Sequence, residues 1–177
     1  CGIVMKTNAI LLSVIIGISQ GVQPIIGFNF GAGKNDRVKE AYIMAIKWNF
    51  VVSVIGFCLF QFFPQYIIAL FGNGDELYFE FAVMFMRTFL FMVIVNGVQV
   101  LSSNFFTAIG KAMNGLLLSL TRQVFFLIPL LLILPLFLGI FGVLLAGPIA
   151  DFIAFVVSAA LVRREFKRLS KTKTQTV

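Results

Sequence analysis

The chain has 177 residues, of which 60% are hydrophobic and only 12% are charged, whereas an ordinary soluble domain carries about 25% charge. This composition excludes a disordered chain, a basic nucleic-acid-binding arm and a soluble α/β enzyme, and it indicates an all-α integral membrane protein. The sequence has no histidine, and its two cysteines, Cys1 and Cys58, do not have metal-ligand spacing, so we predict no metal site and no resident cofactor.

Charged residues divide the sequence into long apolar stretches. Uncharged runs cover 7–33, 48–74, 88–110 and 123–150. Each run is longer than the roughly 18 residues that suggest a membrane-spanning helix, and the proline- and glycine-containing stretch 135–142 predicts a break before the last helix. We therefore predict five spanning helices, A to E, within a membrane domain at 1–163 that is followed by a basic tail at 164–177. The predicted helices cover about 4–30, 40–70, 78–108, 112–136 and 141–163.

The positive residues predict how these helices are oriented. Eleven of the fourteen fall on one side of the predicted bundle, whereas the opposite side has Lys6 and an acidic loop at 75–80. The positive-inside rule therefore predicts a multi-pass protein of the plasma membrane with a cytoplasmic C-terminus. Because the charge reports orientation, we do not expect nucleic-acid binding; the tail is suited to contact with anionic lipid. The eleven residues are Lys34, Arg37, Lys39, Lys47, Lys111, Arg163, Arg164, Lys167, Arg168, Lys171 and Lys173.

Helix A carries polar residues that a lipid-facing helix would not contain. Gln20 and Gln23 are three residues apart and share one face, and Asn29 follows two turns later. Pro24 removes a backbone donor, which predicts a kink or hinge. Two interpretations remain open: a kinked helix packed within a bundle, or a bendable helix that lines a cavity.

Helix C contains a polar stripe. Asn96, Gln99 and Ser103 follow the i, i+3, i+7 spacing of one helix face. Such a stripe is expected to face other helices or water. It predicts either interhelical hydrogen bonds or the wall of a cavity, and both interpretations remain open.

Three ionisable residues fall within the predicted spans, where charge is usually functional. Arg122 in helix D and Asp151 in helix E lie at matching depths, which predicts an ion pair. That pair is either a structural lock between the two helices, or Asp151 titrates or binds a cation during transport. Arg87 in helix C is expected to extend toward the acidic loop or to attract an anion.

Several sequence stretches resemble a known transporter family. Residues 21–33 (GVQPIIGFNFGAG), followed by a basic loop, resemble the second repeat of MATE (multidrug and toxic compound extrusion) transporters, as do 105–111, 120–129 and 142–151. The amino-acid sequence of these stretches is most similar to the MepA-like branch of the family. The resemblance implies twelve helices in two six-helix lobes, with helices A to E matching the eighth to the twelfth. The chain is then expected to be a fragment, most of a C-terminal lobe whose N-terminal lobe precedes Cys1.

The resemblance also implies a function. The family exports cationic or amphipathic drugs in exchange for Na⁺ or H⁺, by rocking its lobes around a central cavity, and its members are not enzymes. Acidic coupling residues of the family have no counterpart in helix C, so the main coupling-ion site is expected in the missing part. The expected partners are the lipid bilayer, small-molecule drugs and the missing lobe. The predicted cavity residues are Gln20, Gln23, Asn29, Asn96 and Gln99, with Pro24 as the hinge.

Two alternative functions remain open. The first is a lipid-linked oligosaccharide flippase of the same superfamily, which is expected to line its cavity with more basic residues than Arg87 and Arg122. The second is a membrane assembly subunit that transports nothing and requires no second lobe.

Overall fold

The computed structural model describes residues 2–71 and 76–174, and the side chains of 2–71 and 78–170. The described residues form helices that are joined by short turns. In chain order they are α1 (Gly2–Gly31), α2 (Asn35–Phe62), α3 (Pro64–Phe71), α4 (Glu76–Phe89), α5 (Val93–Ala108), α6 (Ala112–Leu120), a π-helical segment (Thr121–Leu127), α7 (Ile128–Leu138) and α8 (Ile140–Thr174).

The lengths of these helices confirm an all-α membrane protein with four to five spans. Four helical stretches among the described residues are long and apolar enough to cross a bilayer: α1, α2, the run from α6 through α7, and α8. Helices α4 and α5 meet at a bend of 49° and provide a fifth span when they are counted together. The predicted fold class is therefore confirmed.

The second predicted helix, 40–70, has different bounds in the structure. Helix α2 begins at Asn35, directly after a turn in which Gly33 has a φ of 70°. It ends at Phe62, and Pro64 is the first residue of α3. Proline is suited to the first position of a helix because its missing N–H would have no partner there. The prediction of one uninterrupted helix through Pro64 was therefore wrong.

The third and fourth predicted helices contain irregular segments that the sequence did not indicate. The chain bends between Phe89 and Val93, although the intervening residues 90–92 include neither proline nor glycine. Predicted helix D continues to Leu138 and includes the π-helical segment Thr121–Leu127. π-Helical turns are rare in proteins, and those that do occur are often found at functional sites.

The last predicted helix, 141–163, was too short. Helix α8 begins at Ile140 and continues through the basic stretch to Thr174. Val162 and Leu169 are buried and Phe166 is half-buried against the same apolar cluster, so the periodicity of the buried face persists past the boundary at 163. The run of charges was interpreted as the end of the helix, but the helix and its packing continue beyond it.

Two apolar clusters occupy the two ends of the bundle. The first cluster is centred on Tyr42 and Phe105, whose ring centroids are 4.9 Å apart. The second is centred on Phe85 and Met86 of α4, which pack with Leu144 of α8. In α1, α2, α5 and α8, buried polar residues lie between the positions that contribute to these two clusters. The bundle therefore has a polar layer at its middle.

Contacts between distant turns bring basic residues together at one end of the bundle. Asn35 Nδ2 donates to the Leu169 carbonyl at 3.1 Å, and Lys39 Nζ lies 2.5 Å from Ser170 Oγ. Lys111, between α5 and α6, forms an ion pair with Glu165 of α8. We call this the basic end: the α1–α2 turn, the α5–α6 turn and the C-terminal part of α8.

Candidate functional site: a polar layer in the middle of the bundle

The polar layer consists of buried uncharged side chains and one carboxylate. Each of its residues is at most 7% exposed, in a bundle whose other buried positions are mostly apolar. Polar groups at this depth of a membrane protein have to be satisfied by other helices, by water or by a ligand. The layer residues are Ser19 of α1, Asn49 and Ser53 of α2, Asn96 and Gln99 of α5, and Asp151 and Ser158 of α8.

A cavity of about 330 Å³ opens onto this layer. Helix α1 contributes apolar side chains to its wall, and α5, α6 and the π-helical segment contribute polar ones. Its volume is at the lower end of the range for small-molecule sites. The lining residues are Leu12, Ile16, Asn96, Gln99, Val100, Ser103, Asn104, Ser119, Arg122 and Gln123.

The polar stripe of α5 forms one wall of this cavity and also bonds to α6. Gln99 Nε2 donates to the Leu118 carbonyl at 3.0 Å, and Ser103 Oγ donates to the Gly115 carbonyl at 2.7 Å. Asn96 lines the cavity from the same face of α5. The two interpretations of the stripe, interhelical bonding and cavity lining, therefore describe the same residues.

Close packing of α5 on α6 depends on a glycine. A Cβ atom at Gly115 would lie 2.6 Å from the Ser103 carbonyl oxygen and 2.7 Å from Thr107 Oγ1, too close for a real side chain. The absence of a side chain lets the two backbones approach, as small residues do at helix interfaces in membranes. This approach is what brings Ser103 within bonding distance of α6.

The predicted pair between Arg122 and Asp151 is present. Arg122 Nε lies 2.5 Å from Asp151 Oδ1, and the Asp151 side chain is 7% exposed. Arg122 belongs to the π-helical segment and lines the cavity next to Gln123. A guanidinium that is bonded through Nε still has donors on its two terminal nitrogens. Arg122 therefore connects the structural contact with α8 to the polar cavity.

Several oxygens of the polar layer have no hydrogen-bond partner among the described residues. They are Asn49 Oδ1, Ser53 Oγ, Asn96 Oδ1 and Ser158 Oγ. Other buried hydroxyls here bond to the carbonyl four residues earlier, as Ser19 does to Ile15 at 2.8 Å. An unsatisfied buried polar atom costs about 1–3 kcal/mol. The layer can therefore gain free energy by binding water or a polar group.

The three predicted site residues of α1 lie apart from this cavity. Gln20 is exposed and Gln23 is half-buried, and Pro24 lies inside an uninterrupted α1. Asn29 Nδ2 donates to the Ile25 carbonyl of its own helix, and Asn29 lines a separate cavity of about 430 Å³. The structure therefore brings Asn96 and Gln99 together. It does not join them to Gln20, Gln23 or Asn29, whose role in a substrate cavity stays a prediction.

Arg87 lies near the end of α4 with an exposed side chain. Its carbonyl accepts a hydrogen bond of 2.9 Å from Gln61 Nε2. Of the acidic residues toward which it was predicted to extend, Asp75 and the side chain of Glu76 lie outside the described part of the structure.

Sequence reasoning missed the α1–α2 part of the polar layer. Asn49 Nδ2 lies 3.3 Å from Ser19 Oγ, and a Cβ at Gly97 would lie 3.4 Å from Ser53 Oγ. The missed signal was the i, i+4, i+7 spacing of Asn49, Ser53 and Gly56 along one face of α2. These residues are interleaved with large apolar ones, and only the absence of charge in 48–74 was used to predict this helix.

The spanning helices and the buried polar layer between them are those of a multi-pass α-helical membrane protein. The chain belongs to the MatE family, whose model matches residues 1–133. The whole lining of the cavity, and the layer residues of α1, α2 and α5, lie within the matched stretch.

Relatives with known names are similar over most of the chain. A FAD transporter of Shewanella oneidensis is 24% identical over 97% of this chain, which covers 38% of that protein. The multidrug export protein MepA of Staphylococcus aureus strain N315 is 27% identical over 84% of this chain, which covers 32% of that protein. The chain thus spans about a third of the length of these relatives.

Solved structures show the same fold. The MATE multidrug transporter DinF-BH is 33% identical over 92% of this chain with a TM-score of 0.85, and the chain covers 36% of it. The outward-facing and the inward-facing conformations of a multidrug resistance MATE family transporter of the MOP superfamily each superpose on 96% of the chain with a TM-score of 0.88, at 20% and 19% identity. The predicted family resemblance is confirmed.

Proposed function

We propose that this chain forms most of one lobe of a multidrug efflux antiporter of the plasma membrane, which exports cationic or amphipathic compounds in exchange for Na⁺ or H⁺. The observation that carries the proposal is the polar layer: buried Asn96 and Gln99 line a cavity at mid-bundle together with Arg122, which is paired with Asp151. Polar and ionisable groups at this depth are the usual marks of a substrate or ion pathway. The similarity to MepA and to DinF-BH supports this assignment.

Alternating access is expected to occur by rocking of whole lobes. The fold of this chain matches outward- and inward-facing structures equally well, with a TM-score of 0.88 for both. This agreement supports a lobe that keeps the same fold in the outward-facing and the inward-facing conformation. The lobe that completes the central cavity is proposed to lie elsewhere in the same protein, since the chain spans 38% of the FAD transporter and 32% of MepA.

A second substrate class is also supported. The FAD transporter is similar over 97% of the chain, more than the 84% matched by MepA. Arg122 is a cationic side chain in the wall of the cavity, and guanidinium groups bind phosphate well. Export of an anionic flavin nucleotide is therefore the alternative substrate proposal, in place of cationic drugs.

One transport experiment distinguishes the two substrate classes. The complete gene product that contains this chain is reconstituted in liposomes, and an inward Na⁺ or H⁺ gradient is imposed separately. We expect gradient-driven movement of a cationic dye such as ethidium, with FAD unaffected. Movement of FAD alone would replace the drug assignment with the nucleotide assignment, and movement of neither would favour a non-transporting subunit or a flippase.

The orientation is proposed on the grouping of charges at the basic end. Lys39, Lys111 and the C-terminal part of α8 meet there, in accord with the positive-inside rule. A green fluorescent protein fused after Val177 is expected to fluoresce, because it folds in the cytoplasm. An alkaline phosphatase fusion at the same point is expected to be inactive, and an active one would reverse the assignment.

A further inference from the structure

A large groove lies at the basic end, away from the polar layer. It has a volume of about 840 Å³ and runs between the α5–α6 turn and α8. One part of its wall is apolar and the other part is strongly basic. The lining residues are Phe106, Lys111, Met113, Asn114, Leu161, Arg164, Glu165, Lys167 and Arg168.

The groove contains one buried ion pair and additional exposed cations. Glu165 is buried, 8% exposed, and its carboxylate is occupied by Lys111. Arg164 and Lys167 line the groove from α8 and are exposed. Lys111, Arg164 and Lys167 are three cations against the one carboxylate of Glu165, so this part of the groove carries an excess of positive charge that an anionic ligand would neutralise.

An apolar surface leads away from the groove along α6. Met113 at its edge is 67% exposed, and Leu117 and Leu120 are 47% and 38% exposed. Successive members of this set are four and three positions apart, so they share one face of the helix. Helix α6 is the first part of the span Ala112–Leu138. Its exposed apolar face therefore extends from the basic end toward the middle of that span.

We propose that this groove binds an anionic phospholipid, with its phosphate headgroup between Arg164 and Lys167 and an acyl chain along the exposed face of α6. The charge selects an anion, and the adjoining apolar face selects a ligand with a hydrocarbon chain. Basic pockets at the ends of spanning helices are known lipid-headgroup sites. The site is independent of the proposed transport reaction, since none of its residues lines the mid-bundle cavity.

The first test measures lipid binding to the complete gene product by native mass spectrometry in detergent. Phosphatidylglycerol is compared with phosphatidylcholine, using the wild type, the variant Arg164→Gln/Lys167→Gln and the control Lys34→Gln/Lys47→Gln. The control removes the same charge from exposed sites that do not line the groove. At about fivefold per cation, we expect the groove variant to bind phosphatidylglycerol roughly 25-fold more weakly and the control to bind normally.

The second measurement leaves the groove cations in place. A tryptophan is introduced by Met113→Trp in a Trp48→Phe background, and its fluorescence is quenched by brominated lipids. Stronger quenching by brominated phosphatidylglycerol than by brominated phosphatidylcholine is expected at position 113. Trp48 of the wild type, which is 60% exposed on α2, serves as the control and should show no such preference.

Three results would overturn the proposal. Equal loss of phosphatidylglycerol binding in the groove variant and in its control would show that only net charge matters. If inorganic phosphate added in the first test displaced phosphatidylglycerol completely, the groove would be a site for a free anion and not for a lipid. Equal quenching of the introduced tryptophan by the two brominated lipids would likewise contradict a headgroup-selective site.

Discussion

Arg122 Nε lies 2.5 Å from Asp151 Oδ1, and this contact joins the π-helical segment to α8 at the middle of the bundle. The Asp151 side chain is 7% exposed and that of Arg122 is 20% exposed, so water screens the pair poorly. A buried ion pair of this kind need not stabilise a fold overall, but removing one partner leaves an uncompensated charge. The contact therefore predicts different behaviour for single and double substitutions.

The single substitution Asp151→Asn is expected to destabilise the complete protein by about 3–5 kcal/mol, because Arg122 loses its counter-charge. The double substitution Arg122→Met/Asp151→Leu is expected to restore most of that stability. Thermal unfolding in detergent and transport are measured for both. Low stability of Asp151→Asn with recovery in the double variant supports a structural lock; wild-type stability of Asp151→Asn with no transport would instead support a coupling role.

Helix packing at Gly115 provides a second prediction. Gly115→Ala places a Cβ atom 2.6 Å from the Ser103 carbonyl oxygen, so α5 and α6 have to separate. We expect a loss of about 1–3 kcal/mol, measured by thermal unfolding. The control is Gly21→Ala in α1, where a Cβ meets no atom within 4 Å. Alanine favours helix there, so this variant should be neutral or slightly stabilised, and equal losses at the two sites would contradict the argument.

Tyr42 provides a third prediction. Its hydroxyl lies 2.9 Å from Ser102 Oγ, and its ring packs edge-on against Phe105 and Phe166. Tyr42→Phe keeps the ring contacts and leaves Ser102 bonded to the Val98 carbonyl, so we expect a loss of only about 1 kcal/mol, measured by thermal unfolding.

Truncation of the same side chain should be far more costly. Tyr42→Ala removes the ring from the apolar cluster, at about 3–5 kcal/mol. The control for loss of a hydroxyl is Tyr66→Phe, at a side chain that is 73% exposed, and this variant should not change the melting temperature. Similar melting temperatures for Tyr42→Ala and Tyr42→Phe would show that the ring does not hold the basic end together.

A fourth prediction concerns the cavity itself. Asn96→Ala in the complete protein is expected to reduce drug export, because Asn96 lines the cavity and is 3% exposed. Gln23→Ala tests the half-buried position on α1 that was predicted from polarity alone. Drug-resistance assays at matched expression compare the two variants. Unchanged resistance in both would remove the cavity assignment, and an effect of Asn96→Ala alone would confine it to α5.

Apolar length and charge placement were enough to predict the helical membrane fold, because a bilayer requires long uncharged helices. They were not enough to place breaks such as the one between Phe89 and Val93, where neither proline nor glycine occurs. The end of α8 was missed because charge marks where a helix leaves the bilayer, whereas Phe166 and Leu169 continue its packing. The length of an apolar run and the position of charged residues do not predict such packing.

The candidate site was predictable in part for a related reason. Arg122 and Asp151 are recognisable as charges at matching depths, and Asn96 and Gln99 as a stripe on one face. Asn49 and Ser53 become part of a polar layer only when α2 packs beside α5 at Gly97, and that juxtaposition is tertiary.

The π-helical segment Thr121–Leu127 has a consequence for how the chain tolerates changes in length. A π turn accommodates one residue more than an α turn, with hydrogen bonds spanning five residues rather than four. Deleting one residue from 124–126 would close the wide turn and keep Arg122 and Pro129 in phase with the helices on either side. The same deletion within α1 would rotate all following side chains by about 100°. Chain length and helical phase are uncoupled at this segment.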